Sequence, residues 1–173
     1  MRMHSHLIAT ALMVAGVASA GGASAAGAPH HSPLAGTWTL VAADVIHPDG
    51  SRTSDYGASP KGLLMVDRSG RYSLQIFRSD RPRFTGAKAD GTPAEYRAAV
   101  MGSSAHYGTL AVEPGKHQLV FHIDGASFPN WEGQTQIRTF ELHGDTLSYR
   151  VPPRPNGDVP ISVWKRVEGG AAH

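Results

Sequence analysis

Between Asp124 and Arg138 the chain reads DGASFPNWEGQTQIR, which gathers an Asn, a Trp, a Gln and an Arg around a break between two β-like stretches. These side chains suit recognition better than bond making. Arg138 offers a planar fork of N–H donors and a charge-assisted contact to any ligand that carries a carboxylate. Gln136 lies two residues away, hence on the same face of an extended strand, and Asn130 and Trp131 belong at a rim. Upstream, His122 and Asp124 also share a strand face, and Tyr107 adds a phenol. The expected ligand contacts are therefore His122, Asn130, Trp131, Gln136, Arg138 and Tyr107. The competing reading of the Phe-Pro-Asn-Trp cluster is a packed corner, with Trp131 covering the end of the fold and Asn130 hydrogen-bonded to the turn.

Other chemistries find less support. His106, His117, His122 and His143 have Asp124, Glu132 and Asp145 near them in sequence, yet neither H-x-H nor H-E-x-x-H occurs among them. No metal and no cofactor is expected. Ser103-Ser104 lacks the G-x-S-x-G elbow of a nucleophile, and an acid/base role for His122 with Asp124 needs more than two groups on one face. No catalytic residue is assigned.

The elements that must carry these residues are almost all β. Stretches rich in Thr, Val, Ile and aromatic residues run over 36–46, 61–67, 71–78, 105–113, 116–124, 135–142, 146–151 and 160–167. Asp67-Arg68-Ser69-Gly70, Pro114-Gly115 and His143-Gly144-Asp145 read as hairpin turns between consecutive strands. Only 93–102 reads as helix, with Pro93 in its first turn and Gly102 at its end. Eight short antiparallel strands in sequential hairpins favour an all-β, up-and-down barrel with one short helix, because closure removes exposed edges. A β-sandwich is the second choice. Gly125 to Gly133 then becomes a loop at one end of the barrel, where Pro129 interrupts pairing.

Two further patterns point to a family. Gly36-Thr37-Trp38 opens the first strand as G-x-W, and the last strand carries Trp164-Lys165-Arg166. With GTL at 108–110, HID-G-ASFPNW-G--Q-R at 122–138 and L-GD-L at 142–147, the chain resembles the lipocalin-like domain family, part of the wider calycin group. The resemblance spans about 34–167. It implies an eight-stranded barrel with a cavity open at one end. It also implies that Trp38 packs at the closed end, entered through Gly36, beneath a basic side chain, with Arg166 or Arg138 as the candidates. The T-D-Y type motif of true lipocalins is absent, and so is every Cys.

Composition sets the outer bounds. Residues 1–26 have a cationic start, an apolar run from Leu7 to Ala20 and two A-x-A sites, the pattern of a secretory signal peptide. The run is too short for a membrane span, which needs about 20 apolar residues. The protein is expected to be exported, periplasmic or secreted, with no integral membrane segment after cleavage. Residues 27–33 read as a disordered linker, 34–167 as the domain and 168–173 as a disordered tail. The absence of Cys leaves stability to a hydrophobic core. With 16 Lys and Arg against 14 Asp and Glu, scattered along the chain, nucleic acid is not an expected partner. The function that fits best is an exported barrel that binds a small hydrophobic or amphipathic molecule. The alternatives are a cofactor-free isomerase, cyclase or hydrolase using the same cavity, or a filled barrel with a structural or partner-binding role.

Overall fold

A computed structural model describes residues 31–167; the expected signal peptide, most of the linker and the tail lie outside them. Nine antiparallel strands follow one another: β1 Gly36–Ile46, β2 Arg52–Ser54, β3 Lys61–Val66, β4 Arg71–Phe77, β5 Ser103–Glu113, β6 Gln118–Ala126, β7 Thr135–His143, β8 Thr146–Arg150 and β9 Val159–Arg166. Helix α1, Pro93–Met101, is inserted between β4 and β5. From β3 onward each strand pairs with the next, and β1 closes the ring by pairing with both β3 and β9. The result is an eight-stranded up-and-down barrel. β2 is the addition to the sequence reading, a three-residue strand folded back onto Asp44, Val45 and Ile46.

Local chemistry explains the joints. The β3–β4 hairpin turns on Gly70, at φ +88°, while the Asp67 carboxylate accepts hydrogen bonds from the backbone N–H groups of Ser69 and Arg71. The β5–β6 link is longer than the Pro114-Gly115 pair suggested. A 3-10 turn spans Pro114–Lys116, and His117 follows in the left-handed region at φ 52°, so it leaves the strand and is exposed.

Alternation places Trp38, Leu64, Leu74, Leu119, Phe121, Leu147 and Trp164 inside, each nearly or fully buried. The core concentrates at one end, which the segment before β1 plugs. Leu34 is fully buried, its carbonyl accepts the Trp38 indole N–H at 2.9 Å, and Ser32 N–H donates to Arg68 O. Ser32 and Pro33, just before the expected domain start at 34, thus hydrogen-bond to the barrel. The Arg166 guanidinium lies 4.0 Å over the Trp38 ring and donates to the carbonyls of Ala35 and Pro33. Arg166, rather than Arg138, fills the basic position that the resemblance implied.

Helix α1 has a complete capping box. The Thr92 hydroxyl accepts from Glu95 N–H, and Glu95 accepts in return from Thr92 N–H. None of its residues is buried, so it rests on the barrel as an accessory rather than as part of the core.

Candidate functional site

The opposite end of the barrel stays hollow. A cavity of about 280 Å³ is lined from below by Leu74 and Phe121, at its walls by Ser104, His106, Gln136, Arg138, Tyr149 and Ser162, and at the mouth by Tyr56, Trp131 and Arg154. Larger hollows, up to 570 Å³, are open grooves on the outer surface.

β7 supplies the most polar wall. Gln136 and Arg138 face inward, opposite Phe121 and Leu119 of β6, and the Gln136 amide oxygen accepts from Arg138 Nη2. Arg138 Nη1 donates to Ile137 O at 2.9 Å. Among the described residues no carboxylate pairs with Arg138; the acids that line the cavity, Asp44 and Asp55, are held by Arg52 and Arg154 at 2.6 and 2.7 Å. Burial of the guanidinium depresses its pKa, because the charged form loses water that nothing anionic replaces.

β5 and β8 bring His106 and Tyr149 to the same space, and Tyr72 of β4, buried outside the lining, backs His106. The Tyr72 hydroxyl and His106 Nδ1 share a hydrogen bond of 2.7 Å. Burial, helped by the nearby Arg138 charge, lowers the His106 pKa to about 4, so the imidazole is neutral at neutral pH. Tyr72 and Tyr149 are pushed well above the usual phenol value, mainly by burial, and stay protonated. Around this group Tyr72, His106 and Phe121 meet edge to face with centroids 5.0 to 5.6 Å apart, a geometry that favours ordered aromatic packing.

The residues expected from sequence divide into two sets. Gln136, Arg138 and Trp131 meet at the cavity. Trp131 ends a 3-10 turn, Pro129–Trp131, which folds over the mouth and sets its ring edge-on to His106 at 6.0 Å. Asn130 lies on the exposed side of that turn and does not line the cavity. His122 is a correction: it points outward and shares a hydrogen bond of 2.9 Å with Thr135 Oγ1. The wholly apolar Leu119–Phe121–Ile123 face of β6 takes the inside, since burying it removes more apolar surface from water. Tyr107 is also outside, its ring laid over Gly125, where a Cβ would meet it at 2.6 Å. The groups missed are His106, with Tyr72 as its buried hydrogen-bond partner, Tyr149 and the mouth residues Tyr56 and Arg154. The parity of β5 carries a signal for one of them: His106 shares its face with Leu110, which is buried.

Comparison with known proteins agrees with this architecture. A family profile described as a lipocalin-like domain matches residues 35–167. A 4'-hydroxy-3'-methoxypropiophenone carrier protein of Aspergillus oryzae is 29% identical over 82 residues, covering 43% of this chain and 74% of that protein. The match runs from Ala35, just before β1, to Val167, just after β9, and the chain belongs to the lipocalin-like domain family.

Proposed function

We propose that this protein is an exported carrier that holds one small amphipathic aromatic molecule in the barrel cavity. The observation that carries the reading is the hollow half of the barrel, whose apolar floor faces a few convergent polar groups. Its volume of about 280 Å³ suits a single substituted ring. The related Aspergillus protein is named for such a molecule, an aryl ketone with hydroxyl and methoxyl substituents. Gln136, Arg138 and His106, the last held by Tyr72, would orient the polar end of the ligand, and Phe121 and Trp131 would pack on its ring. Export rests on the signal-peptide pattern of residues 1–26.

Proton-transfer catalysis fits the same cavity less well. A histidine held near pKa 4 is a weak base at neutral pH, and phenols raised above their usual value are weak acids. These perturbations keep the groups neutral and hydrogen-bonding, which serves binding.

The test is titration with 4'-hydroxy-3'-methoxypropiophenone, followed by tryptophan fluorescence, against the wild type and Ser104→Phe. The larger side chain at this cavity-lining position should abolish saturable 1:1 quenching. Equal quenching in both proteins would place the ligand elsewhere and sink the reading.

A further inference from the structure

The geometry points to an organic anion as the preferred ligand of the cavity: an aromatic molecule whose carboxylate or other ionised oxygen seats against Arg138. This deepens the carrier reading and rests on it. The argument is a count of donors and acceptors. A guanidinium has five N–H bonds; one N–H of Arg138 goes to Ile137 O and one to the Gln136 amide oxygen. The others have no partner among the described residues, and no carboxylate reaches the group.

The neighbours add donors and no charge. Tyr72 and neutral His106 hold two hydrogens between their hydroxyl and ring nitrogens and use one in their mutual bond. Whichever nitrogen carries the ring proton, the pair keeps one N–H or O–H free. The acids that line the cavity are already paired, Asp55 with Arg154 and Asp44 with Arg52, and Asp124, whose charge acts on Tyr72, is paired with Arg71. The interior therefore has a positive charge and spare donors but lacks negative charge. A half-buried cation with no counter-charge has given up part of its hydration, and a ligand that brings a planar pair of oxygens offsets that loss. A neutral ligand of the same shape does not.

Cinnamate and cinnamamide have the same ring and chain and differ in the charge of the terminal group, so the pair isolates this effect. Each would be titrated calorimetrically into the wild type, Arg138→Met and Arg138→Lys, with circular dichroism to check folding. The expected result is that the wild type binds cinnamate about tenfold or more tightly than cinnamamide, the scale of a charge-assisted hydrogen bond. Arg138→Met should weaken both ligands but cinnamate by about tenfold more, so that the two affinities converge, and Arg138→Lys should recover part of the preference. Equal wild-type affinities, or equal losses for both ligands in Arg138→Met, would overturn anion selection while leaving the cavity as a binding site. If neither compound binds and the propiophenone titration also fails, the carrier reading falls with it. The wild-type comparison decides the question even if a variant does not fold.

Discussion

At the scale of single residues, Gly36 and His106 carry the sharpest consequences. Gly36 adopts φ +135°, and a Cβ there would stand 2.9 Å from Arg166 Nη1, the group that donates to Ala35 O across the closed end. Gly36→Ala combines backbone strain with displacement of that arginine and should cost about 1–3 kcal/mol. Gly115→Ala is the matched control, with no atom within 4 Å of its Cβ. A lowered urea midpoint is expected for the first and little change for the second; equal midpoints would refute the role given to Gly36. His106 makes stability depend on pH. Burial and the Arg138 charge hold its folded pKa near 4, below the ordinary 6.5, so the unfolded chain takes up the proton first. Its contribution is fully present above about pH 6.5, is lost as pH falls toward 4 and changes no further below that. The whole effect is of the order of 3 kcal/mol. His106→Gln keeps a hydrogen-bonding partner for Tyr72 and should flatten stability between those pH values relative to the wild type. Parallel curves would show that His106 is not the group responsible.

At the scale of elements, the stretch from Ser79 to Gly102 can be separated from the barrel. Phe77 pairs directly with Ser103, and Arg78 N–H donates to Gly102 O, so the ladder already brings the ends of the excursion together. Inside it, α1 buries no residue. Yet Arg81, Pro82, Ala98 and Met101 line a groove that shares Asp55, Tyr56 and Arg154 with the cavity mouth. Replacing residues 80–101 with a short Gly/Ser turn should therefore leave a folded barrel and change ligand dissociation more than thermal stability. Unfolding on replacement, or unchanged dissociation, would remove α1 from any role at the mouth. The same distinction explains what could be read from sequence. Strands β3 to β9 and α1 announce themselves because each repeats a local rule: alternation, a turn residue or a cap. The Gln136–Arg138 wall follows from that alternation too. His122 was misassigned because a mixed face and an apolar face compete for the interior of β6, and only the packed barrel decides between them. Tyr56 and Arg154 lie on irregular segments, where no period says which way a side chain points. Tyr149 reads as an ordinary packing residue until closure of the ring brings β8 to the cavity wall, while Tyr72, buried and outside the lining, reaches the site only through its hydrogen bond to His106.

At the scale of the whole molecule, the two ends of the barrel are built for different purposes. The closed end joins Trp38, Trp164, Leu34 and Leu64 into a dense core, all fully buried, with the Arg166 cation lying over an indole face. The open end leaves a cavity of about 280 Å³ and places the Arg138 guanidinium beside it with no carboxylate partner among the described residues. Packing at the first stabilises the chain; the void and the unpaired charge at the second destabilise it. Sites that bind are often less stable than they would be if built only to fold. Arg138→Met tests this directly, because methionine fills irregular apolar space and needs no water or counter-charge. The empty variant should be slightly more stable than the empty wild type, by up to about 1 kcal/mol, the saving from not holding a half-buried cation without a counter-charge, less the two hydrogen bonds Arg138 makes. Cinnamate at one hundred times its dissociation constant should then raise wild-type stability by about 2.7 kcal/mol and the variant's far less. The order of stability of the two proteins would thus reverse on adding ligand. Thermal melts of both, with and without cinnamate, measure all four states. If the empty variant is the less stable of the pair, Arg138 is a structural residue satisfied within the barrel, and the charge in the cavity is not there for a ligand.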